Sequence, residues 1–325
     1  MKSAFVRFVV PAIAFAAAAV AGIVPAANAA EFSCSTAKLI VPWKPGGGTD
    51  VIFRIYANTI NGYGGKPQIQ VVNISGQGGN KGAKEAKKSK PDGCTLFAIH
   101  QSAITSYLNG RIDFTWNAFD TVALLTDSPD IVGAAGDAPW NNLNEMLDAG
   151  RKNPGKILTG ATFGSTSQFM WLLMEDMSGA KFKYVPFDGT RERMTALLAN
   201  NIQLGTLNVV AGKKYVTGGQ LKAFGIAADE RSDQLPDLPT LKEQGLDLVY
   251  SLKRGIVVQK GTPNDKIAYW AEALKRASED PALLKQMAAK GTGVKWVGSA
   301  DYAKWFDKTY KDHEKVAIKI GMFKK

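Results

Sequence analysis

Histidine and cysteine are scarce in this chain: two of each occur among 325 residues, with no clustering. Zinc, haem and iron–sulfur centres draw on several such side chains at close spacing, so those functions drop out. A site built from carboxylates alone is the one metal option left, and no residue pattern supports it. No cofactor is expected. Gly-x-Ser-x-Gly is missing, and with it the nucleophile elbow of a serine hydrolase. No Walker A segment ending in Lys-Ser/Thr occurs. Nor is there a repeat with a period of roughly 20–50 residues, a low-complexity tract or a second long apolar span. Disorder is equally excluded, because 45% of the residues are hydrophobic and only 21% charged.

What is present begins with an export signal. Lys2 and Arg7 give a positive start, Phe8 to Val24 is apolar apart from Pro11 and Gly22, and Ala27-Asn28-Ala29 is a small-x-small cleavage site. Residues 1–29 therefore read as a signal peptide; the rival reading is a single membrane anchor, which the absence of a basic stop-transfer flank disfavours. Glu31-Phe32-Ser33 before Cys34 argues against lipidation. Cleavage leaves 296 residues and lowers the net charge from +11 to +9. That size predicts two lobes. An oxidising compartment makes a Cys34–Cys94 bridge the default for the two cysteines.

Strand and helix signals alternate. Leu39–Val41, Ile69–Val72 and Cys94–Ile99 read as strands, separated by a helix through Val51, Ile52, Ile55 and Tyr56 and by a Lys-rich helix ending near Lys88. The order βαβαβ predicts a parallel sheet with helices on both faces. The second half repeats the theme. Lys156–Thr162, Lys183–Phe187, Gln203–Val210 and Leu221–Ala228 read as strands, and helices follow Gly164 and Arg191. Thr262-Pro263 and Asp280-Pro281 each read as an N-cap with proline in the first turn. Tyr302, Trp305, Phe306 and Tyr310 line one face of a last helix.

The turn Gly46-Gly47-Gly48-Thr49-Asp50 carries the most chemistry. Three glycines after a strand let the backbone approach a ligand, and the next helix, capped by Thr49 or Asp50, offers unpaired N–H groups to an anion. A plain tight turn is the alternative. It is no dinucleotide fingerprint, since the third glycine would fall at Val51. Gly164-Ser165-Thr166-Ser167-Gln168 repeats the logic in the second half, with ordinary capping as its alternative. His100, at the end of a strand, is either a general base or a rim residue touching ligand; His313 is expected in solvent. Lys81, Lys84, Lys87, Lys88 and Lys90 fit a solvated helix face. No aromatics interleave with them, so nucleic acid is not an expected partner.

Val41-Pro42-Trp43-Lys44-Pro45-Gly46-Gly47-Gly48-Thr49-Asp50, Gly76-Gln77-Gly78-Gly79-Asn80-Lys81-Gly82-Ala83 and Pro91-Asp92-Gly93-Cys94-Thr95-Leu96 follow one another in an order that resembles the Bug-type receptors. These are the periplasmic solute-binding proteins of tripartite tricarboxylate transporters. Asn153-Pro154-Gly155-Lys156, Gly164 to Ser167, Leu235 to Thr240 and Gly261-Thr262-Pro263 continue the match, over roughly residues 38 to 300.

The resemblance implies an α/β, two-lobed periplasmic-binding-protein fold of type II-like form, each lobe a sheet flanked by helices, with the ligand in the cleft. Residues 30–125 plus 253–325 would form lobe I and 126–252 lobe II. It implies a periplasmic, non-catalytic, monomeric receptor that hands a small carboxylate, di- or tricarboxylate by expectation, to a membrane permease. The carboxylate would be held by Gly47, Gly48, Thr49 and Asp50 from one loop and Ser165, Thr166 and Ser167 from the other. Trp43, Lys44, His100, Phe163, Asp188, Asn208 and Arg254 complete the expected pocket, with Arg191 in a segment facing it. Gln168 stands where many relatives carry His, and Lys44 where many carry Pro. Arg254 is expected either to fork onto a second carboxylate or to form a salt bridge; Asp188 would receive an amine or hydroxyl. The competing functions are a secreted enzyme on small acids with His100 as base, and a ligand-binding subunit of a sensory system.

Overall fold

The computed structural model describes residues 31–324; the signal-peptide expectation, residues 1–29, lies outside them. In chain order the elements are β1 (Thr36–Val41), α1 (Gly48–Gly62), β2 (Gln68–Asn73), α2 (Asn80–Lys87), β3 (Thr95–His100), α3 (Ser102–Leu108), β4 (Phe119–Ala135), α4 (Leu143–Lys152), β5 (Leu158–Ala161) and α5 (Thr166–Ser178). Then come β6 (Lys183–Pro186), α6 (Thr190–Leu198), β7 (Leu204–Asn208), α7 (Val209–Thr217), β8 (Leu221–Ile226), β9 (Ser251–Gln259), α8 (Asn264–Ser278), α9 (Pro281–Ala289), β10 (Gly293–Gly298) and α10 (Ser299–Lys319). The fold is α/β, with the sheet flanked by helices.

Two parallel groups, β2-β1-β3 and β7-β5-β6, are joined through antiparallel strands. The parallel sheet expected of the first three strands is present, and the antiparallel β9 and β4 extend it into a mixed one. Its connector is β4, which pairs with β9 and β10 along Phe119–Pro129 and with β7 and β8 along Asp130–Ala135. The register sets His100 opposite Arg254 and Asp130 opposite Asn208. These pairings bring polar residues from distant parts of the chain to neighbouring strand ends.

Apolar side chains clamp the helices to the sheet. Leu96 to Ile99 on β3 are all buried, as a strand covered on both faces requires. Trp270 on α8 is 0% exposed, donates through Nε1 to Gly93 O at 2.8 Å and meets Phe32 and Tyr269 edge-on. Removing such a ring costs about 3–5 kcal/mol. Cys34 and Cys94 are joined by a disulfide that ties the segment before β1 to the start of β3. Among the described residues no helix is long and apolar enough to cross a membrane.

Several local readings need correction. The cap of α1 is Gly47, ahead of the expected Thr49 or Asp50. Asp280 does cap α9, accepting from Ala282 N and Leu283 N, with Pro281 in the first turn. Thr262 does not cap α8: its Oγ1 donates to Gln259 O, and the helix starts at Asn264 behind Pro263. The strand expected to reach Val210 stops at Asn208, whose side chain caps α7 through Ala211 N. His313 is not in solvent. It stacks on Phe169 at 4.7 Å, with Nδ1 on Thr309 O at 2.9 Å and Nε2 on Tyr250 Oη at 3.1 Å.

Candidate functional site

The carboxyl ends of β1, β3, β5 and β7 face one cavity, the usual place for a ligand on parallel strands. Its volume is about 40 Å³, the room of about three waters. The beginnings of α1, α5 and α6 border it, with Gly47, Ser165 and Gly189 as their caps. None of these caps bonds its own helix through a side chain. First-turn N–H groups and three helix dipoles are thus directed toward the same small volume, an arrangement that favours an anion.

Hydrogen bonds hold both loops in shape. Asp50 Oδ2 accepts from Gly46 N at 2.9 Å, while Oδ1 accepts from Arg54 Nε at 2.9 Å and Asn73 Nδ2 at 2.8 Å. Burial pushes the Asp50 carboxyl up, but these donors outweigh it and hold the group below its ordinary value. On the other loop, Ser167 Oγ accepts from Thr162 N at 2.9 Å and Gln168 Oε1 from Gly164 N at 2.7 Å. Two glycines matter here. Gly46 has φ +80°, and a Cβ on Gly48 would lie 2.5 Å from Asn208 Oδ1.

Arg254 lies on the cavity wall and is 0% exposed. Its Nε donates to Thr49 Oγ1 at 3.0 Å and Nη1 to Leu252 O at 3.4 Å, while Nη2 is buried without a partner among the described residues. Burial lowers its pKa to about 10, with Asp130 and Asp127 pulling it back up, so the guanidinium stays charged at neutral pH. Arg193 is also buried and at about 10 for the same reason, but its three nitrogens are occupied by Thr206 O, Thr162 Oγ1 and Thr190 Oγ1. Trp43 is stacked on His100 at 5.3 Å, with its indole N–H unpaired.

His100 is 3% exposed, and its Nδ1 accepts from Ser102 N at 3.1 Å, which puts the proton of the neutral ring on Nε2. Burial, followed by the nearby Arg254 charge, lowers its pKa to about 3. Such an imidazole is a poor general base and a good neutral donor.

Of the expected residues, Trp43, Lys44, Gly47, Gly48, Thr49, His100, Ser165, Thr166, Ser167, Asn208 and Arg254 line this cavity, and so does Arg191. Asp50, Phe163 and Asp188 do not. Asp50 spends its oxygens on the loop and on Arg54 and Asn73, Phe163 packs edge-on against Tyr184, and exposed Asp188 accepts from Gly78 N at 2.9 Å. Lys44 reaches the lining but pairs with Glu192 at 2.7 Å instead of standing as a free cation. Asp130, Thr162, Gly189, Thr190, Glu192 and Arg193 belong to the lining and were not foreseen. Asp130 is the one buried aspartate of the three in Phe119–Ala135, and Arg193 interrupts the buried face of α6 in a similar way.

The sequence profile described as TctC, tripartite tricarboxylate transporter family receptor, matches residues 52–322. A Cupriavidus necator protein, "UPF0065 protein in gbd 5'region", is 29% identical over 323 residues, 96% of each chain. The structure of periplasmic binding protein BugD superposes with a TM-score of 0.83 at 24% identity, covering 89% of this chain and 99% of that one. MatC from Rhodopseudomonas palustris with bound malate gives a TM-score of 0.81 at 26% identity, over 86% of this chain and 98% of MatC. A solute-binding fold, a donor-rich cavity and a profile spanning most of the sequence agree: the chain belongs to the TctC family of tripartite tricarboxylate transporter receptors.

Proposed function

We propose that this protein captures a small carboxylate in the cavity around Arg254 and delivers it to the membrane permease of a tripartite tricarboxylate-type transporter. The observation that carries this reading is the buried Nη2 of Arg254, a charged donor with no partner among the described residues. Leaving such a donor unsatisfied costs about 1–3 kcal/mol, which a bound carboxylate recovers. The helix beginnings add charge complementarity without any side chain having to move. The bound malate of MatC supports the same ligand class.

On this reading residues 30–125 with 253–325 form one lobe and 126–252 the other. The partner change of β4 at Pro129–Asp130 and the start of β9 at Ser251 support a division within a few residues of those bounds. Lys44–Glu192 and Gly78–Asp188 then act as clasps that close the cleft. The protein acts as a periplasmic monomer, without catalysis and without nucleic acid. The weakly basic His100 argues against the rival enzyme.

A thermal-shift screen of the mature protein against mono-, di- and tricarboxylates, amino acids and aromatic acids tests the ligand class. A ligand at a hundred times its Kd adds about 2.7 kcal/mol, or several degrees in Tm. A flat response to every acid contradicts the reading. Co-purification of a membrane histidine kinase in place of a permease would move the protein to the sensory alternative.

A further inference from the structure

Holding a carboxylate uses the donors of the cavity and leaves its acceptors idle. Asp130 is 6% exposed and lies in the lining, opposite Asn208, where β4 changes partners. Arg193 and Arg254 attract it from a distance, but the three nitrogens of Arg193 and Nε and Nη1 of Arg254 are aimed at Thr206, Thr162, Thr190, Thr49 and Leu252, and Nη2 of Arg254 bonds no acceptor among the described residues. Among the described residues none donates a hydrogen bond to the Asp130 carboxylate. Glu192 supplies a second acceptor: Oε1 pairs with Lys44, while Oε2 is buried without a partner.

A site meant for plain dicarboxylates has no use for these groups. A second cargo carboxylate brought near Asp130 adds like charge and satisfies nothing. A hydroxyl or ammonium beside the anchored carboxylate donates to the idle oxygens instead. Resting on the carboxylate reading above, we infer that the cargo is an acid bearing a hydrogen-bond donor next to its carboxylate, and that Asp130 selects it. Burial raises the Asp130 carboxyl to about 7 against the pull of Arg254 and Arg193; a donating cargo favours the ionised form. Sites built to bond a ligand hydroxyl or amine reject the analogue lacking it, because their own polar groups are left unpaired.

Calorimetric titration with matched acids tests the inference: malate and aspartate against succinate, and lactate against propionate. The expected result is tighter binding of a donor-bearing member by about 10- to 100-fold, with malate and aspartate telling hydroxyl from ammonium. Asp130→Asn, which keeps the shape, should pull that ratio toward one by improving succinate. Glu192→Gln should lower it less. Succinate binding wild type as tightly as both malate and aspartate overturns the inference while leaving the carboxylate reading intact. Binding of none of the acids overturns both. The wild-type ratio decides the matter even if a variant fails to fold.

Discussion

Arg254 Nε donates to Thr49 Oγ1 at 3.0 Å, joining the strand β9 to the first turn of α1. That bond fixes the plane of the guanidinium and leaves Nη2 as the free edge. Thr49→Val keeps the shape and removes the acceptor. Affinity for a carboxylate ligand should fall roughly tenfold, and Thr49→Ser should restore it. Unchanged affinity in the valine variant would show that Arg254 needs no such support.

Gly48 tests how closely two elements approach. A methyl group there would stand 2.5 Å from Asn208 Oδ1 and 2.9 Å from Nδ2. Forced overpacking costs about 1–3 kcal/mol, so Gly48→Ala should weaken binding by roughly five- to a hundredfold. Gly62→Ala is the control, since nothing lies within 4 Å of its added methyl; its stability should stay level or rise by up to about 1 kcal/mol. Equal binding by wild type and Gly48→Ala refutes the contact.

The parts of the fold that could be read in advance are those governed by local rules. The glycine turn after β1, the hydroxyl turn before α5 and the Asp280-Pro281 start of α9 announce themselves through conformational freedom, capping and a fixed φ. The strand β4 did not, because Asp127, Ser128, Pro129 and Asp130 break its apolar pattern at the point where it changes partners. The site divided along the same line. Most residues on the two loops reach the cavity and could be named from their own segments, whereas Asp130 and Arg193 reach it only through neighbours that the sheet register brings in. Asp188 and Phe163 lie outside the cavity lining, because a position near the cleft does not determine which way a side chain is used.

The two clasps should differ in worth from the anchor. Lys44–Glu192 is short at 2.7 Å, yet the Lys44 side chain is 51% exposed, and exposed pairs contribute little because solvent screens them. Lys44→Ala should therefore change affinity less than about fivefold, and less still in high salt. A loss equal to that of an Arg254 variant would mean that Lys44 contacts the ligand itself.

Stability should fall on mild acidification. His100 and His313 are held near 3 and 4, against 6.5 when unfolded, so below pH 6.5 the unfolded chain takes up two protons that the fold refuses. Asp130 acts oppositely: the fold keeps its proton up to about 7, while the unfolded chain releases it at 3.8, so over that interval acid favours the fold. Two protons against one leave a net loss that approaches about 1 kcal/mol per pH unit near pH 5 and fades toward pH 6.5. Urea unfolding at pH 6.5 and 5 should show it, and His313→Gln should flatten it. Stability that holds or grows toward acid contradicts the burial of both neutral imidazoles.

The most direct test of the carboxylate anchor is a titration of wild type and Arg254→Lys with malate and aspartate, read by calorimetry and by the fluorescence of Trp43. Lysine keeps a charge but cannot hold Thr49 and a ligand oxygen in one planar fork. The expected result is a folded variant whose affinity has dropped by roughly 10- to 100-fold. A folded Arg254→Lys protein that binds these acids as tightly as wild type would remove Arg254, and with it the anchor, from the account.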